Sequence, residues 1–253
     1  MRTGILSVVM MIAALLVLGP ILRAQVTVDD LQNLKPQAKE LMIPLPGGPV
    51  LRGDGLDDWL SGFGPGGERG VARGFAGSKK SDDQKFFNLG ELYTSLLIQA
   101  RSSSTMDAVA GLDSFRQALI LLQAPPGFFS YLNQFELLLK SEAGGTETSG
   151  RFAAAMEGFL TDFVRSKGEG AYLKFQAGRW VTTMALAAHS HDVTGMQLSA
   201  ASFFREHMAS NNAQPAVVDT LKELERFASL KTLADADFSK IETLAQRLRE
   251  QLG

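Results

Sequence analysis

From Phe86 onward the apolar residues of this chain recur every three or four positions, the spacing of one helix face. Phe86, Leu89, Tyr93, Leu96, Leu97 and Ala100 form a first stripe. Met106, Val109, Phe115, Leu119 and Leu122 form a second, and Phe128, Leu132, Phe135 and Leu139 a third. Phe152, Met156, Phe159 and Phe163 form a fourth. Four amphipathic helices follow, each with an apolar stripe toward a core. The expected punctuation lies between them. Ser104 with Asp107 is a start signal of the capping-box kind. Pro125-Pro126 suits the first turn of the third helix, and Gly144-Gly145 suits the turn after it.

The same order returns 88 residues later. Phe87 meets Phe175, Gly90 meets Gly178, Thr94 meets Thr182 and Ala100 meets Ala188. Ser102 meets Ser190, and Ser114-Phe115 meets Ser202-Phe203. One residue of slip then aligns Pro126 with Pro215, Leu132 with Leu221 and Phe135 with Leu224. Phe238, Ile241, Leu244, Leu248 and Leu252 supply a closing stripe. The pattern predicts an all-α fold built as a tandem duplication of a four-helix unit, over residues 86–167 and 168–253. A short α-solenoid and two packed helical bundles both accommodate such a unit.

Leu89-Gly90 followed by Tyr93, then Gly111, Phe115, Ala118 and Pro125, resembles the helix pair of the tetratricopeptide repeat family. The resemblance implies small residues where two helices cross, an aromatic between them, and a scaffold that binds other proteins. Gly90 and Gly111 stand farther apart than the family's pair. The second copy keeps Gly178, Phe203 and a later proline. The resemblance assigns no binding residues.

Residues 1–24 read differently. Met1-Arg2 is a basic start, Ile5 to Leu18 is almost wholly apolar, and Leu22-Arg23-Ala24 ends on a small residue. That is the order of a secretory signal cleaved after Ala24. The apolar run is shorter than the roughly 20 residues that span a bilayer. Membrane contact is expected only through this segment, and only where it stays uncleaved. Residues 25–85 read as a Gly/Pro-rich flexible linker, with a short amphipathic helix before Pro44. Trp59 and Phe63 are unusual for a spacer. They dock on the protein's own surface or bind a partner.

The chain has 25 basic and 27 acidic residues, and removing Arg2 and Arg23 with the signal leaves 23 against 27, a charge near −4. A nucleic-acid binder needs a basic field, so that class is excluded. There is no cysteine. Disulfides, thiolate metal sites and a thiol nucleophile are therefore excluded even for an exported protein.

Little else carries chemistry. His189-Ser190-His191-Asp192 has the donor types for a divalent transition metal, with His189, His191 and Asp192 as the ligands. A polar turn with a histidine at a helix C-terminus accounts for the same residues. Gly62 to Gly67 matches a dinucleotide fingerprint in letters but lacks the strand before it and the helix after it. No cofactor is expected. Trp180 follows Gly178 and reads as a core plug, or as a ligand-stacking surface.

The leading expectation is an exported, non-enzymatic helical scaffold for an unidentified protein partner. The first alternative is a lipid or small-molecule carrier, its cavity lined by Phe115, Phe128, Phe135, Phe159 and Phe163. The second is a metal-dependent enzyme using His189 and His191.

Overall fold

A computed structural model describes residues 82–101, 105–141, 146–210 and 213–253. The signal, the short helix before Pro44, Trp59, Phe63, Ser104 and Gly144-Gly145 lie outside the described residues. All regular structure among the described residues is helical: α1 Asp82–Arg101, α2 Thr105–Leu121, α3 Gly127–Ser141, α4 Thr146–Ser166, α5 Glu169–His189, the single turn α6 Val193–Met196, α7 Ala200–Ser210, α8 Pro215–Ala228 and α9 Asp235–Leu252. The all-α class read from the sequence is observed. Helix α1 starts at Asp82, so the expected linker boundary at residue 85 is moved toward the N-terminus. None of these helices is long and apolar enough to cross a membrane.

Local chemistry sets the helix ends. After Pro125 and Pro126, the amides of Phe128 and Phe129 reach the two proline carbonyls at 3.1 Å and begin α3. Pro215 opens α8, where its missing donor costs nothing. Gly168 separates α4 from α5 with φ +114°, a conformation that side chains disfavour. The Ala234 amide donates to Asp237 Oδ2 at 3.0 Å and fixes the entry to α9.

Helices α1 and α5 form the centre. Helix α1 packs on α5, α2 and α4, while α5 packs on α1, α9, α6 and α4. Two cores result. One joins α1–α4 around Leu89, Tyr93, Leu96, Phe115, Leu132, Phe135, Phe152 and Leu160. The other joins α5–α9 around Trp180, Met184, Phe204, Leu221, Leu224, Ile241 and Leu248. Each borrows from the opposite central helix. Phe87 of α1 lies in the α5–α9 core, and Phe175 of α5 lies in the α1–α4 core.

The first stripe is therefore half of the picture. From Phe86 to Ala100, α1 is buried on every side. A helix enclosed all round must bury what its polar face carries, and Asn88, Glu91, Thr94, Ser95 and Gln99 are indeed interior. Two other stripes lose a member. Met106 is 83% exposed and Phe159 is 47% exposed. Phe159 instead lies on the outer edge of an aromatic cluster, 4.9 Å from the Tyr131 ring and 6.1 Å from Phe128.

The glycines of the expected helix pair separate in space. A Cβ on Gly111 would meet Gln99 and Leu96 of α1, so Gly111 marks the α1–α2 crossing. Gly90 faces α5 instead. A Cβ there would lie 2.1 Å from the Phe175 carbonyl oxygen, and one on Gly178 would lie 2.1 Å from that of Phe87. The contacts are reciprocal, and both partners stand 88 residues apart in the chain.

A polar group spans this junction. Arg179 Nη1 donates to Glu157 Oε1 at 2.6 Å and to Gln176 Oε1 at 3.3 Å. Tyr93 donates to Glu157 Oε2 at 3.3 Å. Glu157 is thus a bridge between α4, α1 and α5. Burial, then the charge of Glu157, pushes the Tyr93 hydroxyl well above its ordinary pKa, against the opposing pull of Arg179. A raised pKa means that stability is complete below pH ~10 and declines as pH rises beyond it, because only the unfolded tyrosine ionises there. Stability above pH 10 should fall with a slope approaching about 1.4 kcal/mol per pH unit from this group. Tyr93→Phe should lose about 1 kcal/mol at neutral pH and flatten that slope, measured by urea unfolding across the alkaline range. An unchanged slope would remove Tyr93 from the account.

Candidate interaction groove

The α1–α4 and α5–α9 groups differ where α2 is set against the residues 88 positions later. In the first half, Thr105–Leu121 is one continuous helix; in the second, the matching stretch is the single turn α6, a break at Gln197–Ser199, and α7. Three features hold the break. Asp192 caps α6, its Oδ1 accepting the Gly195 amide at 3.0 Å. Gln197 takes a left-handed φ of 46°, uncommon for a residue with a side chain. Trp180 Nε1 donates to the carbonyls of Met196 and Gln197, both at 3.2 Å.

Opposite the break, α8 ends at Ala228 and the chain turns through Ser229 to Ala234 before α9. An open groove of about 570 Å³ lies between the two turns. Leu198, Phe227 and Leu233 supply apolar walls. Val193 and Leu230 also line it and are 57% and 49% exposed. Thr194, Gln197, Ser199 and Thr232 add hydroxyl and amide groups, and Lys231 adds a cation. The arrangement has apolar surface for packing, polar groups for orientation, and one charge.

Of the residues singled out from sequence, Asp192 and Trp180 hold the break beside this groove, in roles other than those expected. His189 Nδ1 lies 3.4 Å from Glu242, and His191 Nδ1 lies 3.6 Å from Asp235. The His191 ring stacks on Phe238 at 4.3 Å, nearly parallel. Asp192 is engaged in capping α6. The expectation of a metal held by His189, His191 and Asp192 is corrected accordingly. Their side chains serve different partners, and among the described residues no three histidine, aspartate or glutamate side chains are gathered to hold an ion. Both histidines contact α9.

Trp180 is 1% exposed and stacks on Phe204 with ring centroids 5.0 Å apart. As a partner- or ligand-binding surface residue it is corrected to an interior one. It supports the groove from behind, because its indole holds the backbone of the break.

No protein-family model, curated protein or solved structure matches this chain.

The groove residues were not legible in sequence. Val193 to Ser210 reads as one helix by analogy with the first half, and nothing local in Gln197-Leu198-Ser199 demands a break. The one available signal was Asp192 three residues before Gly195, a pairing of the N-cap type.

Proposed function

We propose that this protein is an exported, non-enzymatic helical scaffold that binds a short apolar segment of a protein partner between the α6–α7 break and the α8–α9 turn. The observation that carries this reading is the pair Val193 and Leu230, both substantially exposed on the same groove of about 570 Å³. Apolar side chains lining a concave surface are what a partner's side chains can desolvate. Lys231 favours an acidic residue beside the apolar ones. Export rests on the signal pattern of residues 1–24.

The carrier reading has less support. The rings proposed to line its cavity are occupied with other rings: Phe115 with Tyr93 at 5.7 Å, Phe135 with Phe152 at 3.9 Å, and Phe163 with Phe128 at 5.6 Å. Aromatic pairs at these separations fill space.

The test is affinity capture from the native envelope with the wild-type protein and with Val193→Asp combined with Leu230→Asp. Both positions are exposed, so the helical content should stay unchanged by circular dichroism. A partner recovered by wild type should fall at least tenfold in the variant, since burying a carboxylate against apolar surface is costly. Equal recovery by both would rule out the groove as the binding face. Co-purifying lipid with no protein would favour the carrier.

A further inference from the structure

The surface between the two halves is polar to an unusual degree for a helical interior. Asn88, Glu91, Thr94 and Ser95 of α1 are buried, and so are Gln176, Arg179, Thr182 and Thr183 of α5, each 88 residues later. The positions agree and the charges do not: Glu91 in one helix matches Arg179 in the other. Each charge reaches the last helix of the opposite half. Arg249 Nε of α9 lies 2.9 Å from Glu91 Oε1, and Arg179 Nη1 lies 2.6 Å from Glu157 Oε1 of α4. The first half thus contributes both carboxylates and the second half both guanidiniums.

We propose that the α1–α5 face is a pairing interface that accepts a four-helix unit of opposite charge and rejects one of its own kind. The reciprocal contacts at Gly90 and Gly178 make its backbone self-complementary. Phe87 and Phe175 enter each other's cores in the same reciprocal way. At these positions, then, shape does not distinguish a first half from a second. The charges remove that degeneracy. Two first halves would bring Glu91 of each toward Glu157 of the other, and two second halves would bring Arg179 toward Arg249. Like charges confronted in buried surroundings oppose association far more strongly than they would in water. Unlike halves turn both confrontations into ion pairs. The partner that fits is the other half of the same chain.

Charge reversal in the full chain tests this. Glu91→Arg with Glu157→Arg puts a guanidinium at all four positions and reproduces the pairing of like with like. Its Tm should fall by about 10 °C or more, since two partly buried pairs become repulsive. Adding Arg179→Glu and Arg249→Glu inverts both pairs while keeping them paired, and should recover at least half of the loss. Glu91→Gln with Glu157→Gln removes the carboxylate charges without repulsion and should melt above the reversed variant. If the doubly reversed chain yields no folded protein, recovery in the fourfold variant decides. The proposal is overturned if the fourfold variant is no better than the double reversal. It is also overturned if the neutral variant loses as much as the reversed one.

Discussion

Gly178→Ala should be among the most destabilising single substitutions in this protein. In an ordinary helix interior the change would help by about 1 kcal/mol, through alanine's better propensity. Here the added Cβ would stand 2.1 Å from the Phe87 carbonyl oxygen and 3.1 Å from the Glu91 amide. Both obstacles are backbone, so no rotamer change relieves them. The central helices must move apart, and both cores move with them, since each is anchored on the other's central helix. A cost of about 3 kcal/mol or more is expected, which outweighs the propensity gain. Gly90→Ala should behave alike, against the Phe175 carbonyl at 2.1 Å. The double substitution should cost less than the sum. The first methyl already separates the helices, and neighbouring sites couple in this way. Urea midpoints of the three variants measure it. Additive losses would mean that the two sites yield independently.

Trp180→Ala should cost about 3–5 kcal/mol. The side chain is almost wholly enclosed and stacks on Phe204, so its removal leaves a large gap in the α5–α9 core. The consequence for function is more specific. The indole N–H binds the carbonyls of Met196 and Gln197, and Gln197 is held in a left-handed conformation there. Without that donor the break between α6 and α7 loses its backbone anchor, and the groove loses one wall. Trp180→Phe separates the two effects. It keeps most of the volume and removes the donor, so stability should fall by about 1–3 kcal/mol. Partner recovery should nevertheless drop. If Trp180→Phe melts lower but recovers partner as wild type does, the anchor has no bearing on binding.

Much of the fold could be read from the chain. The stripes centred on Leu132 and Phe135, and on Phe238 to Leu252, are buried where the period placed them. Pro125-Pro126 and Pro215 mark helix starts as expected. These readings succeed because they depend on neighbours three or four residues away. The misreadings depend on distant ones. Met106 carries the right period but is 83% exposed, since no described residue encloses it. Glu157 looks solvent-facing on its own helix, and only α5 brings Arg179 to it. His189 and His191 look like a ligand pair, but α9 offers each a different carboxylate.

By itself the sequence determined the class of fold, most helix positions and the matching landmarks at glycine 90 and 178. Periodicity, prolines and glycines act over one or two turns, so one strand of text carries them. Tertiary structure decided what the landmarks do. It turned Gly90 and Gly178 toward each other's helix, enclosed α1 on all sides, and gave Glu91 and Arg179 their opposite partners. It also opened the groove, because the break between α6 and α7 is held by Trp180 from another helix. Those outcomes rest on contacts between residues far apart in the chain, whose energies no local pattern encodes.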